Sequence, residues 1–280
     1  MKTTSFNLYR YQIIPKDRYF QGALFGEIQS VTDLIAHKNK FFYDALKNTT
    51  EWRGKRTLVK GECIYDMNDF LLYKFAPRRT TKIENEHFQE EQYDDWPSIL
   101  IAFWNDEDKQ IIAIQDRKKA FQNTKSVADM IADTLNLTLL HQQLKVFIEP
   151  RFHKEAFWNI IKTNEHKVKN VAFELITPNM ANISHALSED LKSMAKNTNT
   201  MKTKLEIDAE DSVLHIEDDD KQINSLVDYA SEGGGDISIK VKGIKKRIHT
   251  SKSIKTIEIN ELDMNGDTKI IVDFLKKLIA

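Results

Sequence analysis

Along most of this chain the apolar residues come in short alternating or clustered runs, cut off by turn-forming residues. Runs of this length fit strands better than helices. Ser5 to Ile14 predicts a strand that ends at Pro15, and a helix is expected over 24–48, closing in the polar stretch Lys47 to Thr50. Residues 57–65 and 69–75 read as a hairpin around Met67 and Asn68. Residues 99–104 and 111–114 form a second one, joined by the charged loop 105–109. Val127, Met130 and Ile131, at i, i+3, i+4 spacing, then predict a helix over 125–137.

The second half has a more regular rhythm. It predicts a strand at 144–148 ending at Pro150, a helix at 154–163 and a strand at 171–176. A helix at 181–195, strands at 203–208 and 212–217, a helix at 221–231 and a strand at 237–242 follow. Asp218 to Asp220 supply the cap and acidic first turn of the 221–231 helix, and Gly233 its stop. The chain closes on an amphipathic helix, with Ile270, Ile271, Phe274, Leu275 and Leu278 set against Lys276 and Lys277.

Without the 181–195 helix and one hairpin strand, the second half reads strand–helix–strand twice, the order of a ferredoxin-like split βαβ unit. The expected fold is therefore α+β, with a hairpin-rich sheet and helices over 1–143 and a ferredoxin-like region over 144–280. With 9 Gly and 5 Pro there is no long linker, so the two regions should pack closely. Nucleic-acid-binding modules and unrelated enzymes share that plan, so it assigns no function by itself.

Composition narrows the class. Hydrophobic residues make up 41 % of the chain, including 15 Phe and 4 Trp, which is enough to build a core and excludes a disordered chain. No run approaches the roughly 18 apolar residues of a membrane helix. Asn7, Arg10 and Gln12 interrupt what would be the apolar centre of a secretion signal, so a cytoplasmic protein without membrane contact is expected. Cys63 is the sole cysteine, which leaves no intrachain disulfide or cysteine-based zinc site and points to a half-buried packing role. No two histidines lie three or four residues apart, so no metal site is expected. Walker, dinucleotide and serine-elbow motifs are absent, and no cofactor is expected. Asp190-Leu-Lys192, Glu165-His-Lys167 and Asp267-Thr-Lys269 match a nuclease-type (D/E)xK pattern, but in a chain this charged such matches arise by chance.

Net charge is −1, from 41 basic and 42 acidic residues, so any attraction for an anionic polymer must come from local segregation. Between Asp236 and Glu258 there is no acidic residue, while Lys240, Lys242, Lys245, Lys246, Arg247, Lys252 and Lys255 lie there with His249, Thr250 and Ser251. Strand alternation turns Ile237, Ile239 and Val241 to one face and Ser238, Lys240 and Lys242 to the other. Cations beside small hydroxyl donors suit phosphate contacts. The absence of interleaved aromatics argues against base stacking. A second basic cluster holds Arg53, Lys55, Arg56 and Lys60, then Arg78, Arg79 and Lys82, and one groove results if it shares a face with 240–252. The competing reading is that these lysines guard a strand edge or pair with the acidic stretch 206–220. The acidic run 84–95 reads as a solvated loop. The triple glycine 233–235 follows a helix instead of preceding one, so it reads as a helix stop and not as a phosphate loop.

Phe173 to Asn179, together with the helix, triple glycine, strand and basic turn of 226–252, resemble uncharacterised bacterial proteins found near phage-defence genes and mobile elements. The likeness covers roughly the last 110 residues and rests on non-catalytic segments. It implies a role in antiviral defence, as a nucleic-acid or partner-binding component, and supplies no family active site. The leading expectation is thus a non-enzymatic protein that binds DNA or RNA. The alternatives are a subunit that docks on an enzymatic partner, through its C-terminal helix or strand 99–104, and a divergent metal-dependent nuclease.

Overall fold

A computed structural model describes residues 3–17, 19–20, 22, 28–54, 57–67, 69–107, 109–176, 189–210, 212–260 and 267–278. The long apolar runs become the centre of a large sheet because both of its faces are covered. Its strands are β1 (Thr3–Pro15), β2 (Trp52–Arg53), β3 (Leu58–Asp66), β4 (Phe70–Pro77), β7 (Ile99–Asn105), β8 (Gln110–Gln115), β9 (Leu144–Pro150) and β14 (Thr256–Asn260). The order is β14-β1-β8-β7-β4-β3-β2, with β9 also paired to β1.

Alternation along each strand sorts residues between two cores. Tyr9, Tyr11, Tyr73, Phe103 and Ile112 face helices α1 (Val31–Ala36), α2 (Lys38–Asn48) and α3 (Thr124–Leu139). Tyr11 stacks on Phe42 with ring centroids 4.2 Å apart. Phe6, Leu8, Phe70, Leu72, Trp104 and Ala113 face the other way, where the C-terminal helix (Thr268–Leu278) covers them with Ile271, Val272 and Leu275. That helix is part of the core on its buried side, while Ile270 and Phe274 stay exposed.

The helix expected from residue 24 begins at Val31: Ser30 accepts from the Asp33 N–H, and Asp33 returns a carboxylate to the Ser30 N–H, which fixes the first turn. Residues 24–27 lie outside the described part. So does most of the 181–195 helix; its described portion is the helix Glu189–Asn197.

The smaller sheet contains β10 (Val168–Ile176), β11 (Lys202–Asp208), β12 (Gly235–Val241) and β13 (Ile248–His249), in the order β11-β10-β12-β13. Its inner face packs Val171, Phe173, Ile237 and Ile239 against Phe157 and Ile161 of helix α4 (Lys154–Thr163) and Leu226 and Val227 of the helix Lys221–Tyr229. Asp220 caps the latter by accepting from the Gln222 and Ile223 N–H groups. A ferredoxin-like arrangement would place 144–150 in this sheet. Instead β9 pairs with β1 over seven residues, Tyr9 to Pro15, and leaves the smaller sheet without its expected first strand. The predicted strand at 212–217 is irregular chain: Leu214 and Ile216 pack on the core, but only the Leu214 N–H to Val168 carbonyl bond ties that stretch to β10.

Two elements were not expected. Strands β5 (Arg79–Glu84) and β6 (Glu90–Asp95) form a separate hairpin out of the presumed acidic loop, exposed on both faces. The triple glycine does more than stop a helix. Residues Ala230–Gly234 form a π-helical turn that lies on β1: the Gln12 side chain donates to the Gly233 carbonyl, and Phe152 N–H donates to Ser231. Gly233 has φ +84°, and a Cβ there would come 2.5 Å from the Cβ of Arg10, so only glycine fits.

Candidate nucleic-acid interface

The pairing of β10 with β12 and β11 builds an outer face from Asn170, Ala172 and Glu174, from Asp236, Ser238 and Lys240, and from Lys204, Glu206 and Asp208. As the alternation requires, Ile237, Ile239 and Val241 are buried and face inward. The outer face is not a bare basic surface. Asn170, itself buried, donates to Glu206 Oε1 (2.8 Å) and Asp208 Oδ2 (2.6 Å) and accepts from the Arg247 guanidinium. Arg247 also donates from Nε to Ser238 Oγ (3.0 Å) and sits 3.7 Å from Glu206. Hydrogen bonds from Lys204 and Asn170 hold the Glu206 carboxyl below its ordinary range. The Glu210 N–H, and then Asn170, do the same for Asp208. Arg247 is thus committed to the acidic stretch.

His249 and the Thr250 hydroxyl next to the basic run are committed as well, as is the Ser251 backbone N–H. Asp236 Oδ2 lies 2.7 Å from His249 Nδ1, and its Oδ1 accepts from Thr250 Oγ1 (3.2 Å) and the Ser251 N–H (3.0 Å). Lys240 spends its ammonium on the turn that follows β12, donating to the carbonyls of Ile244 (3.0 Å) and Lys245 (2.8 Å). Gly243, with φ +85°, lets the chain reverse there.

What remains is the turn itself. Lys242, Lys245 and Lys246 are exposed, and none of them makes an ion pair among the described residues; Lys252, on the short turn after β13, is likewise exposed and unpaired. Lys167 joins them, also exposed, because its carbonyl accepts from the Lys242 N–H at 2.8 Å. Sequence order gave no sign of Lys167, which is brought in by antiparallel pairing across more than seventy residues.

The second basic cluster does not join this turn. Arg53 is exposed on β2, five strand positions from β1 along the large sheet, and Lys55 and Arg56 lie outside the described residues. Arg78 is clamped on Asp94, with Nη2 at 3.0 Å. Arg79 donates to the Ala120 carbonyl at 2.8 Å, Lys82 pairs with Glu90 at 2.6 Å, and Lys60 lies over the Trp96 ring at 4.5 Å. These residues secure the base and flank of the exposed hairpin.

Other candidates take structural places. Cys63 is half-buried, donates to the Tyr65 carbonyl, and has its thiol pushed up by burial. Asp267 caps the last helix, its carbonyl accepting from the Ile270 N–H at 2.9 Å. Strand β7 is hydrogen-bonded on both edges, to β4 and β8, and offers no free edge for docking. Among the described residues no three His, Cys, Asp or Glu side chains come together as a metal site, and no helix is long and apolar enough to cross a membrane. No protein-family model, curated protein sequence or solved structure matches the chain.

Proposed function

We propose that this chain binds nucleic acid through its phosphates, using the turn 242–246 at the end of the smaller sheet. The observation that carries the reading is the group of exposed lysines Lys242, Lys245 and Lys246, at a turn that Lys240 braces from behind, with Lys167 brought beside them from the turn before β10. Phosphate contacts need mobile cations on a fixed support, and ammonium groups already paired to carboxylates contribute little to counterion release. Arg247 and Lys240 have supporting roles in this reading, and Lys252 extends the patch. The role in antiviral defence implied by the resemblance belongs to the same proposal.

Electrophoretic mobility shift of the purified chain tests it, with single- and double-stranded DNA and RNA at low and moderate salt, with and without magnesium. A shift that fades with salt and shows little sequence preference is expected. No shift with any of the four polymers would reject the reading, and cleavage confined to the magnesium lanes would replace it with a nuclease.

One observation favours a second reading, docking on a protein partner. Phe88 is 85 % exposed at the tip of the β5–β6 hairpin, with Ile83 and Tyr93 exposed on its strands. The turn is preformed, since Asn85 Oδ1 accepts from the His87 and Gln89 N–H groups. Glu84, Glu86, Glu90 and Glu91 around the tip would select a partner with a basic rim.

A further inference from the structure

The β5–β6 hairpin and the sheet at its foot each leave something uncovered. Residues 83–95 carry six carboxylates and no lysine or arginine. Ile83 and Tyr93 stand diagonally on one face of the hairpin, both exposed, with Phe88 at the tip. Phe88 holds φ +58°, a left-handed backbone that glycine or asparagine takes more easily, and it does so without burying its ring. A two-stranded hairpin with both faces in water is marginal on its own, so a surface that covers it adds stability.

Such a surface lies at the hairpin's foot, on the outer face of the large sheet. A hollow of about 740 Å³ there is walled by Ile64 and Leu100, both half-buried, and by Ile271 of the C-terminal helix, with Lys74, Arg117 and Lys118 around them. A smaller hollow of about 290 Å³ shares Lys74 and Ser98 with it and continues to Lys60 and Trp96, the residue that follows β6. Together they make one trough across β3, β4, β7, β8 and β1. Its charge is positive: four cations stand against Glu62 and Asp116, and Lys118 already holds Asp116 at 3.0 Å. Lys74 and Arg117 make no ion pair among the described residues.

We infer that this trough seats the β5–β6 hairpin of a second copy of the chain, so that two copies exchange hairpins in a dimer. The acidic tip meets the cations of the trough, and Phe88, Ile83 and Tyr93 meet Ile64 and Leu100. The dimensions agree. Strands of six residues reach about 20 Å, and a trough across five strands is about 19 Å wide. Hairpin and trough are neighbours on one chain, since β6 runs through Trp96 towards β7. A twofold axis between two copies therefore makes both contacts at once and closes the assembly. The inference rests on the docking reading of the hairpin and names its partner; it is independent of the lysine turn.

Sedimentation velocity of the full chain over a wide range of concentration tests this. The parent should move as a dimer of twice the chain's mass that dissociates on dilution and in high salt. Phe88→Ser should be monomeric with an unchanged Tm. Lys74→Glu/Arg117→Glu and Glu84→Lys/Glu86→Lys/Glu91→Lys should each be monomeric as well, because like charges then face each other. Mixed in equal amounts, these two variants should form a dimer holding one of each, because both contacts are complementary again. The Lys242→Ala/Lys245→Ala/Lys246→Ala variant should dimerise like the parent. A parent that stays monomeric at the highest concentration would overturn the self-pairing and leave the hairpin to a different protein. A dimer that survives Phe88→Ser and both charge reversals, or a mixture of the two reversed variants that stays monomeric, would overturn it too.

Discussion

Neutralising the turn lysines gives the sharpest test of the proposed interface, because the structure separates them from cations that look equivalent in the sequence. Four lysines, Lys167, Lys242, Lys245 and Lys246, face solvent without carboxylate partners. If each meets one phosphate of duplex DNA, the slope of log K against log salt is about −3.6, and affinity falls about 150-fold between roughly 50 and 200 mM salt. Replacing Lys242, Lys245 and Lys246 with alanine leaves one contact, a slope near −0.9 and a fall of only about threefold to fourfold over the same range. Fluorescence anisotropy with a short labelled duplex measures both slopes. Arg247→Ala is the internal control. It removes the bonds to Asn170 and Ser238, so it should lower Tm and leave the slope nearly unchanged. A triple variant with the parental slope would refute the reasoning, as would an Arg247→Ala variant that folds normally and loses the salt dependence.

Other outcomes follow from the cores and the seam. Of the eight tyrosines, Tyr9, Tyr11, Tyr73 and Tyr229 are almost fully buried, and burial raises the pKa of each phenol. The folded state therefore keeps protons that the unfolded chain releases: their contribution to stability is fully present below about pH 10 and is lost above it, by about 1.4 kcal/mol per tyrosine per pH unit. Absorbance titration near 295 nm should show these four ionising only together with unfolding, and four free titrations in a folded chain would contradict it. Gly233→Ala must adopt φ +84° and push its Cβ against Arg10, so a loss of at least about 2–4 °C in Tm is expected in a thermal melt. Cys63, with its thiol raised by burial, should react with a thiol reagent at pH 8 more slowly than free cysteine; equal rates would mean that it is exposed.

What the sequence made legible was burial, and what it hid was pairing. Alternation and apolar runs located β1, β4, β7, β8 and β10, and the helices at 124–139, 154–163 and 221–229, because each signal is contained in the element itself. The β5–β6 hairpin escaped because both of its faces are wet, so no alternation marks it. Residues 212–217 alternate because Leu214 and Ile216 are half-buried, yet burial of alternate residues does not require a ladder. The partner of β9 was likewise invisible, since nothing in Leu144–Pro150 distinguishes an edge of the large sheet from a place in the smaller one. The basic segment shows the same limit. Its charge was plain, but the acceptors of Arg247 arrive from Asn170 and Glu206, and the added lysine at 167 comes from the turn before β10.

Strand β1 bonds to β8, to β9 and, at its start, to β14, so Asn7 holds Thr256 through a side-chain bond spanning 249 residues. During synthesis this has a cost in time. The face of the large sheet that packs on α1–α3 can close once Pro150 has left the ribosome. The opposite face, with Phe6, Leu8, Phe70 and Trp104, stays uncovered until residues 256–278 emerge. Through the translation of more than a hundred codons the nascent chain carries a sheet that lacks β14 and has one apolar side bare, which makes it a natural client for chaperones and a slow, late-closing folder.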